Sequence, residues 1–400
     1  MERPPPLSGI RVIDAATFIA APFAASILGE FGAEVIKVEQ PGVGDPLRDF
    51  GTHTERGDTF CWLSEARNKK SVTLDLRTSE GAALFRELIA KSDILCENFR
   101  PGTLERWGLG PDDLRTINPK LIVLRISGYG QTGPYKDRPG FARIAHAFGG
   151  LAHLTGMPDG PPLTPGSTSL ADYISGLYGA IGVFTALRDR DRSGLGQSVD
   201  LALYEPILRL LDELAPAYAA TGKQRGRLGL GTSNACPHGH FETGDGHWVA
   251  IACTNDKMFA RLAEIIGRPE LAAPESYGKA VRRIAESDFI DGVVGDWVRQ
   301  RTRDEVLDTC ISGEVPCAPV NTIEDIFNDP HYAARGDLVT LTDEQLGDIV
   351  VPASFPKLSA TPGRVDSLGP TLGNANDEVF GDMLGLSKDA IAELRTKGII

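Results

Sequence analysis

The chain carries no glycine-rich signature of a nucleotide cradle. No G-x-G-x-x-G follows the first predicted strand, whose connecting segment Ala15 to Pro22 has no glycine at all. A pyrophosphate needs close approach to backbone N–H groups, and that motif provides it, so NAD binding is disfavoured. G-x-x-x-x-G-K-[ST] is absent too, which leaves a P-loop ligase unsupported. The six cysteines, at positions 61, 96, 236, 253, 310 and 317, include no C-x-x-C pair. Neither a zinc site nor a disulfide framework is indicated, and reduced thiols in a cytoplasm or matrix are the expectation. No apolar run reaches the roughly 18–20 residues of a membrane span. Met1 to Ser8 holds three prolines and no apolar segment, which argues against a secretory signal. Excess positive charge is also missing: the net charge is −13, against general nucleic-acid binding. An anionic ligand would need a local basic cluster.

What is present is an ordinary globular composition, 42% apolar and 24% charged, over 400 residues. That length predicts two domains. Ile10 to Asp14 and Glu34 to Val38 read as strands, with a helix over Pro22 to Phe31 between them. Ser71 to Leu76 reads as a third strand. Its alternation of Val72, Leu74 and Leu76 with polar residues predicts one exposed face. Ser79 to Ala90 is an amphipathic helix, and Asp93 to Cys96 and Leu121 to Ile126 are further short strands. Such alternation predicts an α/β fold with a largely parallel, doubly wound sheet, which binds ligands at the carboxyl ends of its strands. Leu170 to Arg188 and Pro206 to Ala220 read as helices, and Thr221 to Gly231 as a linker. A strand (His247 to Cys253) and a helix (Asp256 to Ile266) begin a smaller α/β unit ending near Pro319. The tail closes on a helix, Lys388 to Lys397.

Four constellations could carry chemistry. Arg67-Asn68-Lys69-Lys70, Arg77, Arg100 and Arg106 lie at strand edges and loops, where they could meet a multi-phosphate ligand or form a solvated face. Asp172 opens the long helix. There it is either a capping acid or a nucleophile kept ionised by the helix terminus. Gly176 and Gly179 share its face and would leave room for a substrate, while Ile174, Leu177, Ile181 and Phe184 would pack inward. His238 and His240 form an H-x-H pair without an evident third metal ligand, and surface residence or carboxylate recognition suits them better. His146, inside an apolar run, reads as a core histidine.

An ordered series of segments then carries a resemblance. It runs through Leu7 to Asp14, Gly32 to Glu39, Gly44 to Arg48, Arg67 to Asp75, Glu97 to Gly102 and Ile126 to Pro134. It continues through Asp172, Gly194 to Asp200, Val315 to Val320 and Leu384 to Ser387. Together they resemble the family III CoA-transferases over nearly the whole chain. The resemblance implies a large Rossmann-like domain from residues 1–200, completed by 325–400. It implies a linker helix and loop over 201–230 and a small α/β domain over 231–324, with two identical subunits threaded as interlocked rings. It makes Asp172 the nucleophile. It places CoA, a substrate rather than a resident cofactor, against Ile19, Ala20, Gln40, Leu74, Arg77, Asn98, Phe99, Arg100, Arg106, Arg138 and Phe141.

Ile19, Gln40 and Ala142 depart from the pattern of formyl-CoA transferases and argue against a formyl-CoA or oxalate role. Racemases of the same superfamily need a His where this chain has Phe141, and so would lack one of two bases. The runs Arg138 to His146, Leu203 to Pro206 and Pro237 to Phe241 resemble succinyl-CoA-dependent transferases of short dicarboxylic acids such as malate, citramalate, itaconate or mesaconate. Arg143, His238 and His240 are then the candidates for holding the second carboxylate. A non-catalytic CoA-binding scaffold is the remaining alternative.

Overall fold

The structure, a computed structural model, describes residues 3–400. It divides into two compact units. The first comprises residues up to Leu151, Thr164–Thr221 and Ala333–Ile400, and the second comprises Ala152–Leu163 and Gly222–Tyr332.

The first unit is built on six parallel strands: β1 (Arg11–Asp14), β2 (Glu34–Glu39), β3 (Lys69–Thr73), β4 (Ile94–Glu97), β5 (Ile122–Ser127) and β6 (Ser198–Ala202). Their spatial order is β3-β2-β1-β4-β5-β6. Alternate residues feed two cores. Val12, Val35, Ile94 and Ile122 pack with the helices Ala20–Glu30 and Leu170–Ser193. Ile13, Ile36, Leu95 and Val123 pack with the helices Ser79–Ala90 and Lys388–Thr396. Burial on both faces explains why these strands read as continuous apolar runs. The strand order reverses between β1 and β4, and sheets of this kind take ligands at the carboxyl ends of the strands beside that point.

Two strands differ from the sequence reading. β3 spans Lys69–Thr73 rather than Ser71 to Leu76, and its polar residues Ser71 and Thr73 are buried. The tail covers them. Asn374 accepts from Ser71 N, while Asn376 accepts from Thr73 N and donates to Thr73 Oγ1. Side chains therefore close this sheet edge where another strand would otherwise pair. β6 was not foreseen, because its alternate residues are exposed and polar. The tail also forms an antiparallel hairpin, β10 (Leu338–Asp343) and β11 (Gly347–Pro352).

The second unit holds a three-stranded antiparallel sheet of β7 (His238–Glu242), β8 (Trp248–Ala252) and β9 (Cys317–Pro319). Phe259, Leu262, Ile290, Val294, Val298 and Val306 from three helices cover it.

Candidate active site

The loop leaving β1 explains its missing glycines. Its successive amides are already satisfied: Ala15 N by Cys96 O, Ala16 N by Asp14, Thr17 N by Asn98 and Phe18 N by Asp45. No pyrophosphate could take these donors. Asn98 returns a second bond from Nδ2 to Thr17 O at 2.7 Å. Phe18 adopts φ of +61°, rare for a bulky side chain, and is held there by Asp45 and by edge contacts with Phe50 and Phe141. Beneath the loop lies a buried ionic network. Lys37 pairs with Asp45 at 2.7 Å and Asp14 at 3.6 Å, and donates to Ala16 O. Lys69 pairs with Asp14 at 2.8 Å. The crevice loop is thus set by charge and side-chain amide, with no call on glycine flexibility.

Lys69 is consequently no phosphate ligand. Arg67 is turned inward onto Ser64 and Pro352 O, and Lys70 bridges Glu34 and Glu378. The basic run from 67 to 70 serves the fold.

Two cavities open at the crevice and share Thr17 and Phe99 in their walls. One, of about 210 Å³, is bounded by Gln40, Leu74, Arg77 and an edge-to-face pair of Phe99 with Trp107. The other, of about 230 Å³, is bounded by Ile19, Ala20, Asn98, Arg100, Ser127, Lys136, Arg138, Phe141 and Asp172. Of the expected CoA contacts, Arg106 lines neither and instead donates to Thr103. Arg143 is exposed on the helix Ala142–Phe148 and does not line the Asp172 cavity. His238 and His240 lie on one face of β7 in the second unit. Lys136 and Ser127 were not singled out from sequence. Ser127 ends β5 and Lys136 lies in the segment after it, and the strand-end rule for such sheets could have flagged Ser127.

Asp172 is the third residue of the helix Leu170–Ser193. It caps nothing. Its own N–H donates to Ser169 O, and the Ala171 N–H is taken by Nε2 of buried His146 at 2.9 Å. His146 is thereby identified as the acceptor that closes the helix end, and burial, with Arg143 nearby, lowers its pKa and keeps it neutral. Among the described residues none donates to the Asp172 carboxylate. Burial pushes its pKa up to about 6, so the expectation that the helix terminus would hold it low is corrected. At pH 7 about nine-tenths is still ionised.

The helix faces are the reverse of those expected. A Cβ on Gly176 would meet Ala20 O at 2.7 Å, and one on Gly179 would meet Leu124 at 3.0 Å. These glycines let the helix press onto its neighbour and the sheet, and give no access to substrate. Leu177, Ile181 and Phe184 point outward, and Ile181 is 58% exposed. Ile174 is half-buried against the core.

Residues 7–376 match CoA-transferase family III. The succinyl-CoA–L-malate CoA-transferase beta subunit of Chloroflexus aurantiacus is 59% identical, covering 99% of this chain and 98% of its own. The alpha subunit from that organism is 57% identical, covering 99% and 92%. Its succinyl-CoA–D-citramalate CoA-transferase is 44% identical, covering 100% and 99%. A CAIB/BAIF family protein from Brucella suis superposes with a TM-score of 0.84 at 33% identity, covering 95% of this chain and all of its own.

Proposed function

The chain belongs to CoA-transferase family III, and from that membership we propose that it moves CoA from succinyl-CoA to a short dicarboxylic acid, L-malate first among them, through Asp172. The observation that carries the mechanism is a half-buried carboxylate with no partner, in a cavity with no imidazole or second carboxylate among its described lining residues. A racemase would need that second base. The choice of acids rests on the names of the full-length relatives, with D-citramalate second to malate in identity.

Exchange of one thioester for another of similar energy needs no ATP. In this reading an Asp172 oxygen attacks the succinyl carbonyl carbon, the C–S bond breaks, and CoA thiolate departs from a mixed anhydride. The thiolate attacks the aspartyl carbonyl and breaks its bond to the succinyl oxygen. This releases succinate and leaves an aspartyl-CoA thioester. The acceptor carboxylate repeats both steps in reverse and restores Asp172. Water must stay out, since the anhydride and thioester hydrolyse. In this reading the adenine end of CoA lies against the edge-to-face pair of Phe99 and Trp107, and the pantetheine passes Thr17 toward Asp172. Lys136 and Arg138, exposed residues of the same cavity wall, supply positive charge for a second carboxylate or the CoA chain. Arg143, His238 and His240 remain proposed partners of the second carboxylate.

We further propose a dimer of identical chains that covers Leu177, Ile181 and Phe184, following the interlocked subunits implied by the family resemblance.

The deciding experiment is incubation with succinyl-CoA followed by hydroxylamine and peptide mass spectrometry. A hydroxamate is expected on Asp172, and Asp172→Asn is expected to lose exchange between succinyl-CoA and malate. An active enzyme whose Asp172 peptide stays unmodified would overturn the covalent route.

A further inference from the structure

A buried polar atom without a partner costs free energy, so a native structure that keeps one invites a reason. Among the described residues that line the Asp172 cavity, only Ser127 holds such an atom. Ser127 is 8% exposed, and no protein group meets its Oγ.

Its position is rigid. Ser127 is the last residue of β5, and its carbonyl accepts from Leu203 N at 2.9 Å. Ser175, one turn beyond Asp172, donates to the Leu203 carbonyl at 3.4 Å. Strand end and nucleophile helix are thus tied through one residue. The next residue, Gly128, lies against Gly140 so closely that a Cβ on it would meet Gly140 Cα at 2.8 Å. The backbone that carries the hydroxyl is thus fixed at the cavity wall. The cations lining the same cavity, Arg100, Lys136 and Arg138, are exposed, whereas Ser127 is buried. No base is bonded to Oγ, so it is a hydrogen-bond donor and no nucleophile.

We infer that Ser127 is a further catalytic residue, whose hydroxyl donates to the acyl oxygen that becomes negative in each tetrahedral intermediate. This rests on the reading of Asp172 as nucleophile. As the Asp172 oxygen bonds to the thioester carbonyl carbon, the carbonyl π pair moves onto oxygen, and Ser127 O–H stabilises that oxyanion. When the pair returns, the C–S bond breaks and the thiolate leaves, and Ser127 keeps its proton throughout. A fixed donor in a dry site acts mainly on the transition state.

The test is Ser127→Ala and Ser127→Thr, assayed for exchange between succinyl-CoA and malate, with thermal melting alongside. Ser127→Ala is expected to lower kcat by about 100-fold, the scale for losing one oxyanion donor. Its KM for succinyl-CoA should stay within about twofold, since ground-state binding is untouched. Its melting temperature should hold or rise, because an unpaired hydroxyl has been removed from a buried site. Ser127→Thr, which retains the hydroxyl, should recover most of the rate. A Ser127→Ala enzyme with kcat unchanged, or with a raised KM and intact kcat, overturns the inference. If that variant is unimpaired while wild-type Asp172 still forms a hydroxamate, Ser127 alone is at fault. If the wild-type enzyme forms none, the nucleophile reading falls and takes this inference with it.

Discussion

Asp172 is ionised at neutral pH in surroundings that penalise its charge. Burial raises its pKa to about 6 from an ordinary value of 3.8, and no cation offsets it. Transfer by an ionised nucleophile should therefore fall about tenfold per pH unit below pH 6, as measured by initial exchange rates across a buffer series. The stability effect follows from the same shift. The folded state binds this proton more tightly than the unfolded chain does. The penalty is absent below about pH 4, grows between pH 4 and 6, and is full above pH 6. A shift of this size corresponds to about 3 kcal/mol. Asp172→Asn should accordingly melt higher than wild type at pH 8 and no higher at pH 4, by calorimetry. At this scale the sequence misleads about the surroundings of Asp172. Its place at a helix start was legible, whereas its burial depends on β1, β4 and β5 converging on it.

At the scale of the element, the strands that were legible are those buried on both faces. β1, β4 and β5 declare themselves as short apolar runs, since each face meets a helix layer. β3 was misplaced, because its partner lies about 300 residues away in the tail, where Asn374 and Asn376 cap its edge. Nothing in a K-K-S-V-T run announces that arrangement. Asn376→Ala would leave Thr73 N–H and Oγ1 without their partner in a buried setting. The expected cost is about 2 kcal/mol, read as a lower urea midpoint, with kcat preserved in the folded fraction. The long helix was assigned correctly as a helix, but its faces were inverted. Hydrophobicity alone directed Leu177 and Ile181 inward, whereas the tight approach of Gly176 and Gly179 to Ala20 and Leu124 takes the inner face.

For the whole molecule, that inversion leaves Leu177, Ile181 and Phe184 open to a partner. If identical chains cover them, the protein should sediment as a dimer, and Ile181→Glu should shift it toward monomer in analytical ultracentrifugation. A wild-type monomer at micromolar concentration would overturn that arrangement. The sequence by itself determined the family and the α/β class, because those rest on local runs and on motifs kept in chain order. It also singled out the carboxylate at 172. Only the tertiary structure decided what surrounds that carboxylate: the satisfied loop after β1, the neutral His146 at the helix end and the unpaired Ser127. Each depends on groups brought together from distant parts of the chain, and the burial that shifts a pKa or strands a hydroxyl exists only once they have met.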